Sequence, residues 1–177
     1  MVVCGAGPAV DVGTLVDLAR ADGWAVLVVA TRSALPFLDV AALQARTGRP
    51  VRSAYGVPGQ PRQASAASAS ALVVAPATFN FVNKLAAGIA DDYALGVVAE
   101  AIGMGKPVAV LPWVNEALAN RAPYRRALAA LREEGVVVPA VPADDDHPEA
   151  FPWPLALSAL PPLPQRSCSP GPHKNMT

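Results

Sequence analysis

The chain has 177 residues, 53% of them hydrophobic and 16% charged, and its formal net charge is zero. This length suits one domain with a sizeable core, and the balanced charge argues against nucleic-acid and anionic-membrane partners, because both attract basic surfaces. The low charge content also indicates that other copies of the chain cover part of the surface.

Apolar runs and helical spacing predict, in chain order, a strand at 1–4, a helix at 12–22, a strand at 24–30, a short helix near 36–47, a strand at 71–75, a helix over most of 80–101, a strand at 107–111, a helix at 123–134 and a strand at 136–138. The uninterrupted run WAVLVVA at 24–30 is typical of a strand that is covered on both faces. This order predicts an α/β fold with a three-layer, doubly wound, Rossmann-like parallel sheet and helices on both faces.

Two stretches interrupt this alternation. Residues 53–70 are rich in Gly, Pro, Ser and Ala and predict a mobile loop. After residue 139 the composition changes: Asp144–Asp146 form a charge run, and the last 27 residues hold seven prolines. We therefore predict a domain at 1–142 and a Pro-rich C-terminal arm or tail at 143–177, which either closes over a site or is a disordered end.

Cysteine and histidine usage indicates neither a disulfide nor a metal site. Cys4 lies in the apolar opening strand and Cys168 in the Pro-rich tail, so Cys4 is interpreted as a buried core residue. The two histidines add no metal-ligand spacing. Since neither a secretory signal nor a membrane span is recognisable, we expect a cytoplasmic protein.

Four polar or glycine-rich turns follow predicted strands, at 5–9, 31–33, 76–80 and 112–116. In doubly wound sheets, ligands bind beyond the carboxyl ends of the strands, so these turns are expected to converge on one site. Each turn also has a simpler interpretation as a helix cap or a tight turn.

The first two turns offer groups that suit an anion. The backbone of Gly5, Ala6 and Gly7 can approach a phosphate, but Val10 stands where a dinucleotide fingerprint has its third glycine, which disfavours an NAD site. The hydroxyls of Thr31 and Ser33 either cap the next helix or bind an anion.

The other two turns add amides and acids. Thr78 and Asn80 suit a phosphate or the polar edge of a heteroaromatic ring. Asp91 and Asp92, placed on a helix, would point about 100° apart and would not share a proton. Asn115 follows the fourth strand, where its amide can hold a carboxylate.

A family resemblance is carried by two segments. Pro76-Ala77-Thr78-Phe79-Asn80 followed by Lys84 to Asp92 (KLAAGIADD) resembles the signature of the homo-oligomeric flavin-containing cysteine decarboxylases, a family that includes phosphopantothenoylcysteine decarboxylase, lantibiotic peptidyl-cysteine decarboxylases and, by fold, flavin prenyltransferases. Pro112 to Ala119 (PWVNEALA) resembles the second signature, Pro-x-Met-Asn-x-x-Met-Trp, in eroded form. The resemblance spans roughly residues 2 to 138.

The resemblance implies an FMN site at the subunit contacts of a homotrimer or of an assembly of trimers. It places the FMN-binding groups in the first three turns and at Asp91, and it makes Asn115, in the fourth turn, the residue that holds the carboxylate of a small-molecule substrate or a peptide C-terminus. The cofactor-binding residues that it implies are Gly5, Ala6, Gly7, Thr31, Ser33, Pro76, Ala77, Thr78, Asn80 and Asp91.

The chain also departs from the family pattern. The catalytic His of the decarboxylases would fall near Arg62, and no His occurs before His147. Arg62 would not readily act as a base, because its pKa is too high. The favoured hypothesis is an FMN-binding flavoprotein, a divergent oxidative decarboxylase or related oxidase, that acts on a small thiol- or carboxylate-bearing substrate. A non-catalytic flavin-binding or regulatory subunit and a flavin prenyltransferase-like enzyme stay open as alternatives.

Overall fold

The computed structural model describes residues 1–56, 66–140 and 151–162. Within these residues, four parallel strands form one sheet in the order β2-β1-β3-β4. The strands are β1 at Val2–Val3, β2 at Val29–Ala30, β3 at Leu72–Ala77 and β4 at Val108–Pro112. Single parallel bridges of Arg52 with Val29 and of Val137 with Ala109 extend the two edges.

The described helices surround this sheet. They are α1 at Gly13–Ala21, α2 at Val40–Thr47, α3 at Phe79–Ala86, α4 at Tyr93–Gly103, α5 at Glu116–Ala119, α6 at Ala122–Glu133 and α7 at Trp153–Ser158. Short 3₁₀ turns lie at Gly7–Asp11, Leu35–Phe37 and Ala66–Ser68. None of the described helices is both long and apolar enough to cross a membrane.

The strands bury side chains on both faces, as the predicted fold class requires. Successive strand residues point to opposite faces, so Val74 and Val110 join a core with α3, α4 and α6. Their neighbours Val73 and Ala109 join a second core with α1, α2 and α7. The three-layer, doubly wound arrangement is confirmed.

The predicted helix over 80–101 is broken into α3 and α4. Gly88 at the break has φ +70°, a left-handed conformation that favours glycine. Asp92 then begins the second helix, its side chain accepting a hydrogen bond from the backbone N–H of Leu95 at 2.8 Å. The expectation that Asp91 and Asp92 lie on a helix is therefore wrong, because one precedes the helix and the other caps it.

Strand lengths also differ from the predicted ones. The apolar run at 24–30 contributes only Val29–Ala30 to the sheet, because its neighbour β1 spans only Val2–Val3. Val26 and Val28 are still buried. β3 continues to Ala77, two residues beyond the predicted end. The predicted strand at 136–138 is reduced to the bridge at Val137.

Two predicted irregular segments are only partly described. Of the loop at 53–70, residues 66–68 form a 3₁₀ turn, and the Lys106 ammonium donates a hydrogen bond to the carbonyl oxygen of Ala67 at 2.7 Å. In the C-terminal segment, α7 was not predicted; Pro152 precedes it at the N-cap and Pro154 lies in its first turn, where proline is compatible with a helix. Arg62, the Asp144–Asp146 run, His147 and Cys168 lie outside the described residues, and the boundary at 142/143 stays a prediction.

Candidate functional site

The turns that follow the four strands lie along one edge of the sheet. Backbone hydrogen bonds join them: Cys4 N–H donates to the Pro76 carbonyl oxygen at 3.1 Å, Thr31 N–H to that of Val3 at 2.9 Å, and Trp113 N–H to that of Ala77 at 2.8 Å. The polar groups at 5–9, 31–33, 76–80 and 112–116 therefore share the carboxyl edge of the sheet, where ligands of doubly wound folds bind.

The first and second turns touch each other at Gly5. A Cβ added at Gly5 would lie 2.3 Å from the carbonyl oxygen and 3.1 Å from Oγ of Ser33, closer than real side chains approach. Only glycine fits at this crossing. Ala6 and Gly7 continue the turn into the 3₁₀ segment, and Gly7 is exposed, with nothing within 4 Å of an added Cβ.

The second turn holds a pair of hydroxyls. Thr31 Oγ1 and Ser33 Oγ are 3.1 Å apart. Thr31 is buried, whereas the other polar and charged residues that the structure describes are at least partly exposed. Neither hydroxyl caps a helix: the 3₁₀ turn that follows has no side-chain cap. The capping alternative for this turn is thus not what the structure shows. Ser33 Oγ lies at the crossing with Gly5, and Thr31 Oγ1 contacts it.

The third turn centres on Thr78, which begins α3 and contacts the buried thiol of Cys4. The Thr78 hydroxyl accepts a hydrogen bond from the backbone N–H of Phe81 at 3.3 Å. Burial raises the pKa of the Cys4 thiol to about 12; contacts with the backbone and hydroxyl of Thr78 oppose this shift, and the nearby Asp92 carboxylate adds to it. Cys4 is therefore a neutral thiol near pH 7.

Asn80 and Asp91, both predicted cofactor-binding residues, are exposed. Asn80 lies in the first turn of α3, just past Thr78. Asp91 pairs with Lys84, whose Nζ lies 2.5 Å from Oδ2 of the acid. Of the two adjacent acids, it is Asp92 whose charge acts on Cys4 at the sheet edge.

The fourth turn presents Asn115 at the start of α5. Its Oδ1 accepts a hydrogen bond from the backbone N–H of Leu118 at 2.9 Å, and the side chain is exposed. Because a backbone N–H must meet an acceptor, this contact identifies Oδ1 and turns the Nδ2 donor away from the helix. The amide thus has a fixed orientation.

Sequence reasoning missed two sets of residues near this edge. Cys4 was interpreted as core, and it is buried, but it also lies against Thr78; its place directly before Gly5 was the available signal. Phe151 and Trp153 are buried beside Trp113, with ring centroids 5.6 Å apart for Trp113 and Phe151. The sequence FPWP at 151–154 does not show the apolar spacing of a helix, so these two residues were not predicted to lie near the site.

The family assignment rests on the chain as a whole. A family model described as Flavoprotein matches residues 1–152. The chain belongs to the Flavoprotein family. No curated protein sequence matches this flavoprotein significantly.

Solved structures agree with this assignment. The flavoprotein is 27% identical to the FMN-dependent cysteine decarboxylase TvaF from thioviridamide biosynthesis, with a TM-score of 0.64 and coverage of 90% of this chain and 94% of that one. It is 25% identical to the FMN-dependent cysteine decarboxylase SpaF, with a TM-score of 0.67 and coverage of 89% and 94%. A PPC decarboxylase mutant complexed with pantothenoylaminoethenethiol is also 25% identical, with a TM-score of 0.65 and 78% of each chain covered.

Proposed function

We propose that this flavoprotein binds FMN at the carboxyl edge of its sheet and oxidatively decarboxylates a small substrate that carries a thiol and a carboxylate, such as a peptide with a C-terminal cysteine. The observation that carries the proposal is the crossing of Gly5 with Ser33, beside the Thr31 hydroxyl and the start of α3. The similarity to FMN-dependent cysteine decarboxylases supports the same ligand and reaction class.

The groups at this crossing fit the phosphate of FMN. The hydroxyls of Thr31 and Ser33, 3.1 Å apart, and the backbone of a glycine turn suit an anion, although the Ala6 N–H of this turn already donates to the Cys4 carbonyl oxygen at 3.0 Å. The absence of a side chain at Gly5 lets the Ser33 backbone pack against the first turn, so the donors of the first two turns lie side by side. Gly5, Ala6, Gly7, Thr31 and Ser33 would hold the phosphate. The start of α3 would hold the rest of the cofactor through Pro76, Ala77, Thr78 and Asn80, with Asp91 nearby.

Asn115 would hold the substrate carboxylate. With Oδ1 committed to Leu118 N–H, the exposed Nδ2 is the donor that remains for an anion. A substrate bound there would lie beside Trp113 at the end of β4. The cap therefore serves the proposed role, because it presents the amide in one orientation before substrate arrives.

The proposed reaction breaks the bond between the α-carbon and the carboxylate of the substrate and releases carbon dioxide. Two electrons and two protons also leave the substrate, so a C-terminal cysteine becomes an aminoenethiol. FMN, when bound, supplies the acceptor for the two electrons. The chain's own residues hold the carboxylate and place the cysteine.

Among the described residues at the carboxyl edge of the sheet, no histidine is present to act as a general base. Cys4 is held neutral by its raised pKa, and Asp91 is paired with Lys84. The chain has no His before His147. Since positioned proton transfer contributes ~10²–10⁴-fold to rates, we expect turnover well below that of a decarboxylase with its His.

The missing His also favours a second candidate function, a flavin-binding subunit without turnover. It would retain FMN through the same four turns and leave a cysteine-ended peptide unchanged. In either case we propose a homo-oligomer, a trimer or an assembly of trimers. Exposed apolar side chains are available for such contacts, namely Val10, Phe37, Tyr55, Ile89, Met104 and Val137.

The experiment that tests the reaction is incubation of the FMN-loaded protein with a peptide ending in Cys, followed by mass spectrometry. The proposal predicts a product lighter by one carbon dioxide and two hydrogens. The same peptide ending in Ser is the control and should stay unchanged. If the protein retains FMN but leaves the Cys peptide unaltered, the proposed enzymatic activity is rejected in favour of the flavin-binding subunit without turnover.

A further inference from the structure

Three aromatic rings form a continuous contact between the fourth turn and the C-terminal helix. The ring centroids of Trp113 and Phe151 are 5.6 Å apart with planes at 64°, and those of Phe151 and Trp153 are 4.4 Å apart at 56°. Edge and tilted contacts of this kind are favourable geometries for aromatic rings. Phe151 and Trp153 are only 5% and 4% exposed, so their positions are well defined.

This contact includes Trp113, which lies two residues before Asn115. The backbone of Trp113 is bonded to Ala77 of β3, and the preceding Pro112 pairs with the same residue in the sheet. The Trp113 ring packs on the core that holds α1 and α7, whereas Val114 packs on the opposite core. The packing of the Trp113 ring and these backbone contacts together anchor the start of the segment between β4 and α5.

Trp153 is the first residue of α7, and Phe151 lies two residues before it. Helix α7 packs against α1, β3 and β4, and Ala156 is fully buried there. Phe151 thus meets Trp113 from a rigid support. Trp153 packs against the Phe151 ring, with centroids 4.4 Å apart.

We propose that Phe151 and Trp153 are positioning residues for the substrate site: they hold the Trp113 ring and so fix the place of the Asn115 amide two residues further on. This inference rests on the proposed function, in which Asn115 binds the substrate carboxylate. If Phe151 and Trp153 have this role, the segment at 151–158 contributes to the substrate site.

The test uses the full chain labelled with 5-fluorotryptophan. The chain has three tryptophans, so its fluorine spectrum should show three resonances. Phe151→Leu removes the ring and keeps an apolar side chain. We expect the Trp113 resonance to shift, and the KM for a peptide ending in Cys to rise about ten- to hundredfold, as for misplaced binding groups. The kcat at saturation and the Kd of FMN should stay within about threefold, because the ring contact does not reach the Gly5 crossing.

The control is Leu43→Ala, which removes a buried side chain from the same core but from α2. It should lower the melting temperature and leave the peptide KM and the Trp113 resonance unchanged. If Phe151→Leu does not fold, Trp153→Met removes the outer ring and should give the same pattern to a smaller degree.

An active wild type with an unchanged KM in Phe151→Leu would overturn the inference and leave the proposed function standing. An equal rise of KM in Leu43→Ala would overturn it too, because general loosening would then be the cause. A wild type that binds FMN but neither binds nor converts the Cys peptide would refute the proposed reaction, and the positioning role would fall with it.

Discussion

At the scale of single residues, Gly5 is the position where one methyl group should matter most. Gly5→Ala would place Cβ 2.3 Å from the Ser33 carbonyl oxygen and force the first two turns apart. We predict that the Kd of FMN, measured by fluorescence quenching on titration, rises at least about tenfold, as misplaced binding groups do.

The control for this change is Gly103→Ala at the exposed end of α4, where an added Cβ meets nothing within 4 Å. It should bind FMN like the wild type. If Gly5→Ala also kept its affinity, the crossing of the first two turns would not form the phosphate site.

Asn115 allows its two roles to be separated. Asn115→Asp keeps an oxygen that accepts from Leu118 N–H and so keeps the α5 cap, but it replaces the amide donor by a negative charge. We predict unchanged thermal stability and a loss of about 10²-fold or more in kcat/KM for a Cys-ended peptide, because a charge-assisted hydrogen bond becomes a repulsion.

The matched control is Asn120→Asp, an exposed position just after α5. It changes the net charge equally and should leave kcat/KM within a few-fold of the wild type. Similar losses in both variants would indicate a general charge effect, and Asn115 would lose its proposed role.

Arg52 presents a different consequence of burial. Its Nε and Nη1 atoms are shielded from solvent and have no hydrogen-bond partner among the described residues. An unsatisfied buried donor costs about 1–3 kcal/mol. We therefore predict that Arg52→Met raises the free energy of unfolding by about 1 kcal/mol in denaturant titrations.

Arg49→Met, at an exposed position, is the control and should change the free energy of unfolding by less than about 0.5 kcal/mol. A loss of stability in Arg52→Met would mean that the guanidinium has a partner.

At the scale of elements, the adjacent acids Asp91 and Asp92 stabilise the break between α3 and α4 in different ways. Asp92→Ala removes the cap of α4 and should cost about 1 kcal/mol of unfolding free energy. Asp91→Ala removes an ion pair whose side chains are 53% and 31% exposed, and such pairs contribute about 0–1 kcal/mol. Denaturant titration of both variants tests the ranking, and a larger loss for Asp91→Ala would reverse the assignment of roles.

The succession of elements was predictable because buried strands and amphipathic helices leave strong periodic patterns. The break at 87–92 was not, because the apolar residues of 80–101 favoured one helix, whereas the left-handed conformation of Gly88 and the cap at Asp92 divide it in the structure. Likewise, α7 lies in a Pro-rich segment, where local composition disfavours a helix, but burial of Trp153 and Ala156 stabilises it.

The candidate site was predictable to a similar degree. Turns at 5–9, 31–33, 76–80 and 112–116 could be placed on one edge, since parallel strands share their carboxyl end. The contact of Phe151 with Trp113 could not, because it joins residues nearly forty positions apart in sequence and depends on how α7 packs. The orientation of the Asn115 amide likewise emerges only from its hydrogen bond to Leu118.

At the scale of the whole molecule, the sheet brings four separate turns to one edge, and the two cores hold that edge from both sides. Each turn taken alone has a simple structural explanation. Their combination, in a member of the Flavoprotein family that resembles FMN-dependent cysteine decarboxylases, supports a single flavin site.

The most direct test of that central claim is the visible absorption spectrum of the freshly purified protein, with mass spectrometry of whatever heat releases. We expect flavin absorption bands and FMN in the supernatant, or uptake of added FMN by a protein that was purified without it. A colourless protein that also fails to take up FMN would contradict the flavin site and every residue role proposed for it.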